Sequence, residues 1–187
     1  SKVGVVLSKQ TLNAGFTLIE LIIVIVVIGV LAVTAAPKFF DFGTAARTNA
    51  VKSMSGTLTE ASKHIDAALQ LPNRVIYVNG SPWLDVNGDG IIEADATSDQ
   101  ENPRNNVSRD IKLIKNDVGQ LGPDNFEVAK MVSFSEDVTI EVGERHQTYI
   151  GFDRDDDGEI ADDNCRVYFT QPINSRGTFV ANKTDGC

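Results

Sequence analysis

Two stretches of this chain place oxygen-bearing side chains at the spacing a hard cation needs. Loop one is Asp85-Val86-Asn87-Gly88-Asp89-Gly90-Ile91-Ile92-Glu93-Ala94-Asp95. Loop two is Asp153-Arg154-Asp155-Asp156-Asp157-Gly158-Glu159-Ile160-Ala161-Asp162-Asp163. Counted from the first aspartate, both have Asp or Asn at positions 1, 3 and 5, Gly at 6, Ile at 8 and Asp at 11. Calcium takes six to eight oxygens, and Gly at position 6 permits the turn that brings in the carbonyl of position 7. The expected ligands are Asp85, Asn87, Asp89, the Ile91 carbonyl and Asp95 in loop one. In loop two they are Asp153, Asp155, Asp157, the Glu159 carbonyl and Asp163.

Both loops resemble the first half of an EF-hand loop. Both depart from it at position 12, where Ala96 and Asn164 stand in place of the bidentate Glu. No flanking helix pair is evident, so the expectation is a structural calcium clip and not a sensor. The competing reading is a solvated acidic turn, since Asx- and Gly-rich turns are common without metal. The repetition of one spacing favours the clip. So does the crowding of six aspartates between Asp153 and Asp163, which repel one another in one turn without a cation.

A third chemical oddity is Glu20, the one charge in the apolar run Phe16–Ala36. A span of about 20 apolar residues suffices to cross a bilayer. A carboxylate within it costs about 2.5–3.5 kcal/mol on insertion scales, and such residues are usually partnered. The plainer reading is a charge near the helix end that reaches toward the headgroups. Lys2 and Lys9 precede the run without an acid, so the start is expected in the cytoplasm and the rest exported. A secretory signal peptide would be cut after its apolar stretch, and 21 residues are long for such a signal.

Gly15-Phe16-Thr17-Leu18-Ile19-Glu20, followed by the apolar run, resembles the processing site of type IV prepilins. Ala32-Val33-Thr34-Ala35-Ala36-Pro37-Lys38-Phe39 is similar to mannose-sensitive haemagglutinin pilins in particular. The close match covers about residues 15–45. The resemblance implies cleavage by a prepilin peptidase between Gly15 and Phe16 and methylation of the Phe16 amine. It also implies assembly through the retained helix, with Glu20 of one subunit neutralising the Phe16 amine of a neighbour. A buried unpaired charge is costly, so Glu20 would act as a register device. The implied partners are further copies of the chain, the inner membrane, the peptidase and the pilus assembly machinery. The precursor belongs in a bacterial inner membrane and the product in an extracellular filament for attachment or motility.

The elements that must carry these sites follow from periodicity. Residues 1–15 form the leader, 16–36 the membrane and filament-core helix, 37–71 an amphipathic helix, and 72–187 a globular head. Gly29 and Pro37 weaken the helix between them. Beyond Pro37, Val51, Met54, Leu58, Ala61, Ile65, Ala68 and Leu69 recur at helical spacing, and Pro72 ends the pattern. Strands are expected at 74–79, 131–134, 138–142, 146–152 and 166–171, and a short helix at 106–115. Residues 80–130 otherwise read as loop. Val142-Gly143-Glu144-Arg145 suggests a hairpin. The fold class is therefore α+β, a long N-terminal helix whose second half packs against an antiparallel sheet.

Cys165 and Cys187 lie in the exported part, where a disulfide is expected. Two reduced core thiols are the alternative. The resemblance to type IV pilins, many of which close their C-terminal region this way, points to the bridge. The net charge of −9 argues against non-specific nucleic-acid binding. Arg104, Arg109, Lys112 and Lys115 read as the solvated face of the short helix. His64 and His146 read as structural polar residues, and no nucleophile elbow, zinc-binding His pair or phosphate-cradling Gly loop is present. An enzyme is not expected. A pseudopilin of a type II secretion machine shares the N-terminal signature. A membrane-anchored calcium-binding adhesin is the alternative from another class, with Trp83 either its ligand contact or a core residue.

Overall fold

The computed structural model describes residues 16–94, 103–106, 108–144 and 146–187, with the backbone alone at 36–41. Contacts divide the chain into two units, Ser1–Phe42 and Gly43–Cys187. Helix α1, Leu18–Ala68, contributes to both. Gly29 and Pro37 lie within it and neither ends it.

In the first unit, the stretch Leu18–Ala35 has mean hydropathy 3.0 and none of it is buried. Its length and composition allow it to cross a membrane. The aliphatic side chains from Leu18 to Val33 stand exposed. Such a surface is costly in water and acceptable in lipid or against other helices.

Among the described residues of the second unit, eight strands form two four-stranded antiparallel sheets, each in simple sequential order. The first contains β1 (Val75–Val78), β2 (Ser81–Leu84), β3 (Ile111–Lys115) and β4 (Leu121–Pro123). The second contains β5 (Thr139–Val142), β6 (Gln147–Gly151), β7 (Arg166–Thr170) and β8 (Phe179–Lys183). The later part of α1 serves both. Val51 and Leu58 are fully buried with Val128, Val138, Ile150, Val167, Phe169 and the two cysteines. Further along, Ile65 packs with Leu84, Ile111 and Leu113. The predicted helix face is thus the buried one. Ser55 and Ser62 also lie on it, and Ser62 Oγ satisfies itself by donating to Leu58 O at 2.8 Å.

Several local expectations need correction. Residues 106–115 do not form a helix: Ile111, Leu113 and their neighbours make β3, pairing with β2 and β4. The period-2 burial of Ile111 and Leu113 is a strand's. Residues 131–134 are not a strand, since Met131 closes the short helix α2, Val128–Met131. Residues 80–130 also carry β2 and β4 where loop was expected. The turn between β1 and β2 is Asn79–Gly80, with φ of 51° and 80°, as a two-residue hairpin of primed type requires. The basic residues share no helical face. Arg104 donates to Phe134 O, Ser135 O and Val138 O, tying its segment to the β5 approach. Trp83, 7% exposed, is a core residue beneath the Lys130 ammonium.

Candidate functional site

At the head of α1, Thr17 and Glu20 form a capping box. Glu20 Oε2 accepts from Thr17 N at 2.9 Å and from Thr17 Oγ1 at 2.8 Å, while Glu20 N donates to Thr17 Oγ1 at 3.3 Å. The arrangement satisfies two of the amides that a helix start leaves open. The signal was in the sequence: Thr-x-x-Glu directly before an apolar run. Phe16 precedes it and is 88% exposed. Gly15 lies outside the described residues.

The two acidic loops differ. In loop one, Asp85 is 1% exposed, and its carboxylate accepts from Gly88 N at 2.6 Å and Gly90 N at 2.8 Å. Burial works against its charge, but these amides, together with Arg74 and the Asp89 amide, outweigh it and hold its pKa below the ordinary value. Asn87 and Asp89 bond to each other, and Asp89 Oδ1 accepts from Ile91 N. Two residues missed by sequence reading clasp the loop. Arg74 donates to Asp85 O and Val86 O. Buried Asp110 accepts from Val86 N at 2.9 Å and Glu93 N at 2.7 Å. No pattern in the local sequence announces them, because both lie outside the repeat. Asp95 lies outside the described residues.

Loop two brings one oxygen each of Asp153, Asp155 and Asp163 within 4.8 Å of one another. Asp153 Oδ2 accepts from Gly158 N, and Asp163 Oδ2 from Arg154 N. Asp153 Oδ1 is shielded from solvent and has no partner. Desolvation, then repulsion from Asp157, Asp163 and Asp162, raises the Asp155 pKa. Asp157, whose charge also acts on Asp155, accepts from Glu159 N at 2.8 Å. The loop's last turn is anchored in the core through fully buried Ile160, whose amide donates to Glu141 Oε2 at 2.7 Å. Ile160 O accepts from Arg166 Nη1 at 2.9 Å. The carboxylates therefore converge on a fixed base.

Directly after loop two, Cys165 is bonded to Cys187 with Cα atoms 4.7 Å apart. The tail passes so close that a Cβ on Gly186 would sit 1.8 Å from Asp163 O. Gly186 N donates to Asn164 O at 3.1 Å, and Arg154 donates to Gly186 O. Arg47 of α1 holds Cys187 O through Nε at 3.1 Å and Nη2 at 2.9 Å.

Comparison with known proteins bears on the helix and not on the head. Residues 11–36 match the prokaryotic N-terminal methylation motif. Over 55 residues the chain is 47% identical to the type IV major alpha-pilin of Moraxella bovis. That alignment covers 29% of this chain and 33% of the relative, so the match spans about a third of the pilin's length. No solved structure matches. The N-terminal region of this chain thus carries the methylation motif on an exposed apolar helix and is similar to that of a type IV major pilin.

Proposed function

We propose that the chain is a structural subunit of a type IV pilus-like filament, cut between Gly15 and Phe16, methylated at the Phe16 amine and polymerised through α1. One observation carries the reading: the methylation motif overlaps the first part of α1, Leu18–Val33, whose aliphatic side chains are exposed. Polymerisation is the event that covers them. The head is no obstacle to export, being closed by a disulfide suited to an oxidising compartment. That bridge also favours a pilin, here of the mannose-sensitive haemagglutinin type, over a secretion pseudopilin. The filament serves surface attachment or motility. Shearing filaments from cells and measuring the intact mass of their main protein tests this. A chain beginning at N-methylated Phe16 is expected; a product beginning after Ala36 would sink the proposal.

We also propose that loop two holds a structural calcium ion through Asp153, Asp155 and Asp163. Three convergent carboxylates, one with a shielded and unpartnered oxygen, support it. The bidentate Glu of an EF-hand is missing, so the affinity is set at roughly 10⁻⁴–10⁻³ M, as in extracellular modules. Calcium titration of the full chain in detergent, followed by calorimetry, tests the affinity; an absence of binding at millimolar calcium rejects the site.

A further inference from the structure

The head contains a concave feature whose lining includes no residue of the acidic loops. It is a cavity of about 580 Å³ lined by Gln147, Tyr168, Thr170, Ile173, Arg176, Gly177, Thr178 and Phe179. Ligand sites commonly fall at about 300–1,000 Å³. Its walls are built from β6, β7, β8 and the turn joining the last two.

Two properties define what fits there. First, Tyr168 and Phe179 lie diagonally across β7 and β8, with rings 6.3 Å apart and inclined at 48°. They form a wedge with Phe179 still 54% exposed. Such a surface suits a ring with an apolar face. Second, Arg176 is exposed, and among the described residues no carboxylate pairs with its guanidinium. In a chain of net charge −9, a cavity lined by one cation and no acid selects an anion.

The turn is held in advance. Ile173 and Arg176 exchange backbone bonds at 3.1 and 2.9 Å. Asn116 Nδ2 donates to Arg176 O at 3.0 Å, and Asp117 N donates to Asn174 O at 3.1 Å. A Cβ on Gly177 would meet Gln120 Nε2 at 2.6 Å, so glycine lets the turn seat against the first sheet. The Arg176 backbone is thus fixed before any ligand arrives, which lowers the ordering cost of binding.

We propose that this cavity binds an acidic saccharide. The sugar ring lies on Tyr168 and Phe179, and its carboxylate pairs with Arg176. Guanidinium and carboxylate match in planar two-point geometry. The site does not depend on the filament reading.

The test uses the full chain in mild detergent and two probes, digalacturonate and its dimethyl ester, read by calorimetry and by saturation transfer from the aromatic protons. Millimolar binding of the acid is expected, with the neutral ester about tenfold weaker, the loss of one charge-assisted contact. Arg176→Met should weaken the acid about tenfold and leave the ester unchanged. Phe179→Ala should weaken both probes alike. Both side chains are exposed, so unchanged circular dichroism is expected as the folding control. Equal affinity for acid and ester, no effect of either variant, or no binding at tens of millimolar overturns the proposal. So does a change in oligomer mass on substitution with saccharide binding intact, which would make the cavity a contact between copies.

Discussion

Glu20 and Thr17 are bonded to each other three ways at the start of α1, so the one acid of the apolar span is not unpartnered in the single chain. Assembly on the register model must therefore exchange an intramolecular partner for the Phe16 amine of a neighbour. The proposal is more selective for it: a misaligned neighbour leaves Glu20 with Thr17 and gains nothing. Glu20→Ala should leave the protein in the inner membrane and sharply reduce sheared filament. Thr17→Val removes the hydroxyl but keeps the acid, and should retain filament. Normal filament yield from the Glu20→Ala strain would end the register argument.

A second pair is internal to the head. Lys130 Nζ lies 2.6 Å from Glu127 Oε2, with side chains 3% and 0% exposed. The ammonium also reaches Ser108 Oγ at 2.7 Å and Asp110 O at 3.1 Å. Asp110 in turn clasps loop one, so the pair connects α2 to that loop. Lys130→Met leaves a buried carboxylate without its cation, a loss of about 3–5 kcal/mol. The double variant with Glu127→Leu should recover much of it. Denaturation of the full chain in detergent measures both, and equal stability of the single and double variants would contradict the pairing.

Asp124 gives a pH dependence with a definite sign. Desolvation raises its pKa, against the pull of the Phe126 amide, Lys112, the Asn125 amide and His146. The native state then holds a proton that the unfolded state releases, at pH values above the ordinary aspartate range near about 4. This contribution to stability is full below the unfolded pKa and is lost as pH rises through the folded one. Burial acts in the same direction on Glu127, which faces Lys130 and Asp124. Asp124→Asn should therefore gain stability relative to wild type as pH rises through that window. A flat difference from pH 4 to 7 would contradict the raised pKa.

What was legible in the sequence was the long-range pattern. The 21-residue run Phe16–Ala36, the spacing Val51-Leu58-Ile65 and the two cysteines each stand on one physical requirement, and all appear in the fold. β5, β6 and β7 were readable because they alternate β-branched or aromatic residues with polar ones. Of the first sheet, β1 was read in the strand expected at 74–79, and the other three strands were not. β2 has four residues, including Pro82, and β4 ends in Pro123, so local propensity argues against both. β8 has no fully buried side chain to mark a period. Asn79–Gly80 did signal the first hairpin, and the alternation of Ile111, Lys112 and Leu113 did signal a strand. The acidic loops were read as twins because the repeat is real. They differ because Asp110 and Arg74 come to loop one from distant segments, which a local spacing cannot show.

The disulfide closes a loop of sequence separation 22. The chain-entropy model assigns it about 3 kcal/mol. Replacing both cysteines by serine should lower stability by that order, since both sulfurs also sit in the main core. Arg47→Met removes the contact to Cys187 O while keeping the bridge, and should cost less. A Cys pair variant as stable as wild type would show that the core alone holds the tail.

The loop-two cation and the tail share one piece of backbone, and this makes calcium a test of coupling. Asp163 supplies a converging carboxylate, its own carbonyl abuts Gly186, and Cys165 follows two residues later. An ion bound to the folded loop and not to the unfolded chain stabilises the head by mass action. At millimolar calcium and a dissociation constant of roughly 10⁻⁴ M, the gain is about 1.4 kcal/mol. The melting temperature of the full chain in detergent should thus be higher in calcium than in chelator. Asp155→Asn should abolish most of that difference, because it removes one of the three convergent oxygens. Asp89→Ala in loop one separates the two loops: the shift persists if loop two alone holds the ion. Hydrogen exchange should show the same split, with amides at 184–187 protected by calcium in wild type and not in Asp155→Asn. Identical melting with and without calcium would reduce loop two to an acidic turn. A calcium shift with no change at 184–187 would keep the ion and reject the coupling to the tail.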